Sequence, residues 1–179
     1  DEKVMPHSKN PPRHPEINEG DFSKLVFYSR TLAVPARRIP SDPILKEKIS
    51  QGEKLFENAK CAACHRSEME TGPSSTTKAL STNRIRPYTD LLLHDLGEGL
   101  ADNRPDFEAT GRQWRTAPLW GIGMIPVVNE HSRLLHDGRA RGVDEAVLWH
   151  GGEAKASKEI FRKMTRPERE ALTAFVMSL

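Results

Sequence analysis

Apolar positions along this chain recur with helical rather than strand spacing. After a polar, Pro-rich start over residues 1–20, Leu25, Tyr28 and Leu32 stand at i, i+3 and i+7. That spacing predicts a short helix over 21–34, with Asp21 as its cap. Pro35, Pro40 and Pro43 follow as a stiff connector. Asp42 is placed to cap a second helix over 43–59, in which Pro43 is a good first-turn residue and Leu45, Ile49, Gly52 and Phe56 share a face. Residues 66–115 are polar apart from the three leucines 91–93, which fit either one helical turn or a buried strand. Residues 144–150 read as a short helix with Val143, Val147 and His150 on one stripe, stopped by Gly151 and Gly152. A further helix covers 153–164. The last begins at Thr165, with Pro167 in its first turn and Glu168 and Glu170 near its positive end. Leu172, Phe175, Val176 and Leu179 then repeat at i, i+3, i+4 and i+7. No internal repeat and no convincing strand is visible. The expected fold is mainly α, with a Pro-rich arm and linker over 1–42 and one helical domain over 43–179.

Composition narrows what such a domain can be. Only 36% of the 179 residues are hydrophobic, low for a chain that must bury a sizeable core. A large apolar prosthetic group would make up part of that deficit. Thirteen prolines and twelve glycines point to long irregular connections around a ligand. The net charge of +2 is spread rather than massed in a stripe, which argues against nucleic acid as a partner. No apolar run approaches the ~18 residues of a membrane span. The chain opens at Asp1 without Met or a basic-then-apolar leader, as expected of a processed product or a piece of a longer chain. Its two cysteines leave no other thiol to pair with, so disulfides are not expected to hold it together.

Both cysteines lie in Cys61-Ala62-Ala63-Cys64-His65. C-x-x-C-H has a specific mechanical meaning. The two thiols add across the two vinyl groups of a haem, and the following His lies under the iron as its proximal ligand. A zinc half-site would need two more soft ligands at fixed spacing. A thioredoxin-like pair would need a βαβ context. Neither is present, so the motif predicts one covalent haem c, held by a cytochrome c-like domain. Attachment takes place on the oxidising side of a bacterial membrane, which places the protein in the periplasm. Gly52, Phe56 and Phe175 suit the contact between first and last helices found in such domains.

The second face of the iron has several candidates. His7 and His14 lie in the polar arm, and His131 sits in a turn-like Asn-Glu-His-Ser. His94 follows the leucine island, and His136 lies in a Leu-Leu-His-Asp-Gly turn that could bring it near the haem edge. His150 and Met124, the latter in an apolar Gly-Ile-Gly-Met-Ile-Pro loop, are close rivals. The choice matters, because Met/His ligation raises the potential relative to two imidazoles.

Six stretches together resemble the C-terminal haem domain of the bacterial di-haem oxidoreductases, relatives of the di-haem cytochrome c peroxidases. They are residues 32–38 (LAVPARR), 61–65 (CAACH), 87–97 (PYTDLLLHDLG), 114–123 (WRTAPLWGIG), 134–139 (LLHDGR) and 145–154 (EAVLWHGGEA). The similarity runs from about residue 20 to the end. In the peroxidase relatives a His-x-Gly turn is followed one helix later by the distal ligand, a Met. His136 matches the turn and His150 the ligand, so the resemblance selects His150 over Met124 and implies bis-histidine iron. It also implies a partner, the N-terminal haem domain of the same parent protein, where the open and reactive haem sits. This chain would then be an electron relay for a haem oxidoreductase rather than its catalytic centre. Alternatives are a stand-alone single-haem carrier exchanging electrons with another redox protein, and a haem sensor whose sixth ligand yields to a small molecule. Arg115 and Arg139 are candidate partners for the haem propionates. Pro118 is a candidate to present its carbonyl to His65. Trp120 and Trp149 are candidates to pack on the porphyrin. The acidic residues Asp90, Asp95, Glu98 and Asp102 are a candidate calcium site, as such relatives hold between domains.

Overall fold

The computed structural model describes residues 16–179, so His7 and His14 lie outside the described residues. These group into two compact units, one ending at Ala33 and one running from Val34 to Leu179. The fold is mainly α, with long loops and two small sheets. The first unit holds α1 (Glu19–Thr31), whose residues are almost all exposed. Its cap is Asn18 rather than Asp21: the Asn18 side chain accepts from the Asp21 N–H at 2.9 Å.

In the second unit the connector belongs with the helical body. Arg38 N donates to Ser178 O at 2.8 Å, and Arg37 makes a two-pronged contact with Glu53 at 3.1 and 3.0 Å. α2 (Pro43–Asn58) buries Ile49, Gly52 and Phe56 and leaves Leu45 exposed. Asp42 caps α2, its carboxylate accepting from Ile44 N at 2.9 Å. Asp42→Ala is expected to remove about 1 kcal/mol of stability, read as a lower denaturant midpoint at constant slope.

α6 (Arg166–Val176) buries Ala171, Leu172, Phe175 and Val176 and crosses α2. The crossing is close because Gly52 has no side chain. A Cβ there would sit 2.0 Å from Ala171 O and 2.7 Å from Phe175 Cβ. Around the crossing, Phe56, Tyr88 and Phe175 meet edge to face, with centroids 5.3–6.3 Å apart. Three shorter helices complete the body: α3 (Ile125–Asn129), α4 (Val143–Trp149) and α5 (Lys155–Lys163).

The structure corrects the expectation of no strand. β1 (Met69–Glu70) pairs antiparallel with β2 (Arg84–Ile85), and β3 (Leu93–Asp95) with β4 (Gln113–Arg115), setting His94 opposite Trp114. Segments of two or three residues are too short to carry a period-two signal. The leucines 91–93 are not buried either; each is 44–58% exposed.

Candidate haem site

α2 delivers the cysteine motif directly. Ala59 ends the helix fully buried, Lys60 turns the chain with a left-handed φ of 63°, and residues 61–63 make one tight helical turn. His65 N donates to Cys61 O at 2.9 Å, so both cysteines and the histidine are wound on one short spiral. Cys61 and Cys64 are free thiols. Burial pushes the Cys61 thiol up to about 11 and also raises Cys64. A working thiol–disulfide pair needs the opposite shift.

The His65 ring packs on Phe56, and its Nδ1 lies 2.9 Å from Tyr88 O. A carbonyl only accepts, so Nδ1 carries the proton and Nε2 keeps its lone pair. This is a correction: the carbonyl that orients His65 belongs to Tyr88, not to Pro118. Tyr88 is buried with a left-handed φ of 54°, unusual for a bulky side chain. It is held there by Thr89 on both sides. Thr89 N donates to Arg66 O at 3.1 Å, and Thr89 Oγ1 donates to Thr116 O at 2.6 Å.

His150 follows the last turn of α4 and repeats the arrangement. Its Nδ1 lies 2.7 Å from Ala146 O, again leaving Nε2 free. Burial pushes His65 down to about 4, against the Tyr88 hydrogen bond. Burial also lowers His150, against the bond to Ala146. Both rings are therefore neutral at neutral pH, the form that binds a metal.

Both imidazoles and both cysteines line a single cavity of about 660 Å³. That volume is in the range of cofactor sites. Its walls are mainly apolar, with Leu96 and Leu100 from the β3 loop, Val143 and Val147 from α4, and Leu172 and Val176 from α6. Lys60, Arg115, Arg133 and Lys158 supply positive charge at the lining. Apolar walls for a macrocycle, thiols for its vinyl groups, lone pairs for its iron and cations for its carboxylates form a donor set that fits haem.

The remaining candidates separate cleanly. Arg115 lines the cavity and donates to Leu91 O at 3.2 Å. Pro118 and Trp120 also line it. Arg139 does not. It binds Asp137 and Gly99 O and lies 4.8 Å over the ring of Trp149, which is likewise off the lining. Arg133 lines the cavity instead, and no pattern in the sequence marked it. Met124 is off the lining while Ile122 and Ile125 are on it. In that tight turn residues three apart share a face, and Met124 falls between them. His136 lines the cavity but stacks on Trp114, centroids 3.6 Å apart and rings 12° from parallel. His94 lines it with both ring nitrogens occupied by Asp90 and Glu153. The acidic run forms no oxygen cage. Asp90 is on His94, Asp95 and Glu98 are on Arg112, and Asp102 accepts from Arg104 N. Among the described residues the one cluster with metal-ligand spacing is Cys64, Asp90 and His94.

A family model described as "di-haem oxidoreductase, putative peroxidase" matches residues 6–179, nearly the whole chain. This chain belongs to the di-haem oxidoreductase family. No curated protein and no solved structure matches it. Membership in a di-haem oxidoreductase family implies a haem cofactor and another haem domain in the same protein. Among the described residues no helix is long and apolar enough to cross a membrane.

Proposed function

We propose that this chain is an electron-transfer domain of a periplasmic di-haem oxidoreductase, holding one haem c through Cys61 and Cys64 with His65 and His150 as iron ligands. The observation that carries this reading is the matched pair of part-buried imidazoles. Each has Nδ1 bound to a backbone carbonyl and Nε2 free at the same cavity. A haem bound there supplies a one-electron couple. The residues around it set how that couple is used. Two strong nitrogen ligands leave no coordination position for peroxide or oxygen, and they hold the potential below that of a Met/His site. The carbonyls of Tyr88 and Ala146 make both imidazoles more basic and fix their ring planes. Arg115, Arg133, Lys60 and Lys158 are the cations available to the propionates. Reaction with an oxidised or reduced substrate then belongs to the second haem domain, which is the partner we infer. A stand-alone carrier is the second reading, favoured by the single C-x-x-C-H of these 179 residues.

The test is the intact mass and spectrum of the chain produced in an oxidising compartment with haem attachment active. The mass should exceed that of the polypeptide by one haem. The iron should be low-spin in both oxidation states, without the Met–iron charge-transfer band, and carbon monoxide should leave the reduced spectrum unchanged. A polypeptide of unmodified mass overturns the covalent site. A carbon monoxide complex in the native protein turns the reading toward a sensor.

A further inference from the structure

The mechanism leaves one partly buried charged cluster unused. His94 Nε2 lies 2.9 Å from Asp90 Oδ2, and its Nδ1 lies 2.9 Å from Glu153 Oε2. The second Glu153 oxygen accepts from Asp95 N at 2.8 Å, and the second Asp90 oxygen accepts from Leu92 N at 2.9 Å. The Asp90 side chain is only 5% exposed and that of His94 17%, while Glu153 closes the cluster from the surface at 57%. Carboxylates only accept, so both ring nitrogens must donate and the ring is an imidazolium. A partly buried cluster of this kind adds little net stability, and its best-attested use is to specify one arrangement.

The arrangement it specifies spans the two ligands. The segment from residue 88 to 97 begins at Tyr88, whose carbonyl orients His65. It ends against the glycines that follow His150. A Cβ on Gly152 would sit 2.1 Å from Asp95 O, and one on Gly151 would sit 2.7 Å from Leu96 O. Glu153 is three residues beyond His150, and Asp90 is two beyond Tyr88. The ligating atoms of Asp90, His94 and Cys64 lie within 4.8 Å of one another, so the cluster also stands beside the thioether position.

We propose that Asp90, His94 and Glu153 are a brace that sets the separation of the His65 and His150 segments, with His94 and Glu153 as positioning residues for the sixth ligand. This rests on His65 and His150 being the iron ligands. When the brace is cut, the turn carrying His150 is free to withdraw and the iron becomes accessible. The brace is a mechanical span, and the charge on His94 is only the means of making both of its ends donate.

Glu153→Ala and Glu153→Gln separate span from charge. In the glutamine variant the amide oxygen accepts from Asp95 N and the amide nitrogen donates to a neutral His94, which still donates to Asp90. Carbon monoxide binding to the reduced chain, the reduction potential and the melting temperature are measured for both, and for His94→Ala. Glu153→Ala and His94→Ala should form a carbon monoxide complex where the native chain forms none, because the loss of one hydrogen bond to His94 cuts the span. Glu153→Gln should form none, like the native chain. A silent Glu153→Ala overturns the brace, and so does a Glu153→Gln that behaves like Glu153→Ala. A native chain that lacks the bis-imidazole spectrum overturns the ligand pair itself, before any variant is compared.

Discussion

His150→Ala is expected to turn a closed iron into an open one. The imidazole is held by the Ala146 carbonyl at 2.7 Å and presents Nε2 to the cavity. Alanine leaves the volume of the ring for water or a small ligand. The expected result is a low-spin to high-spin change in the oxidised spectrum and stoichiometric binding of carbon monoxide by the reduced protein, where the native protein binds none. Haem content should be unchanged, because Cys61, Cys64 and His65 are untouched. His150→Met should return a six-coordinate iron with a higher potential, since a thioether favours the reduced state relative to imidazole. Met124→Leu is the control and should leave the spectrum as it is. An unchanged spectrum in His150→Ala would rule out His150 as the ligand.

The second large effect is expected at the helix crossing. Gly52→Ala would ordinarily stabilise a helix interior by about 1 kcal/mol. Here the added carbon meets Ala171 O at 2.0 Å and Phe175 Cβ at 2.7 Å. The α2 and α6 helices must separate, and overpacking of this kind costs about 1–3 kcal/mol. Gly52→Val should cost more than Gly52→Ala. The consequence extends to function, because α2 runs into Cys61 while Leu172 and Val176 of α6 wall the cavity. Denaturant midpoints should fall in the order native, Ala, Val, and haem incorporation should fall in the same order. An alanine variant as stable as the native protein would show that the contact relaxes without strain.

The helices were legible because their apolar residues recur every three or four positions and their caps are local. Asp42 with Pro43, and Thr165 with Pro167, mark two helix starts that the structure places within a residue. Where the signal was local but ambiguous, the reading slipped. Asn18 and Asp21 are both capping residues three apart, and either can head α1. The short strands escaped because pairing of two or three residues depends on a partner 14 to 22 positions away.

The site divides along the same line. Spacing within five residues is set by covalent geometry, so Cys61, Cys64 and His65 can be proposed as haem attachment without a fold. The stripe that puts His150 with Val147 is also local, because one helix carries both. What orients His65 could not be read, since Tyr88 is 23 residues away and works through its backbone, which carries no side-chain signature. For the same reason Arg139 was chosen where Arg133 faces the cavity. In an irregular loop a side chain's direction follows from turns such as the left-handed Leu135, not from a period. The chain by itself thus pointed to haem as the kind of cofactor and determined the helices on either side of the cysteine motif. Only the tertiary structure decided which carbonyls, cations and carboxylates surround it, because those contacts join segments whose separation along the chain has no bearing on their distance in space.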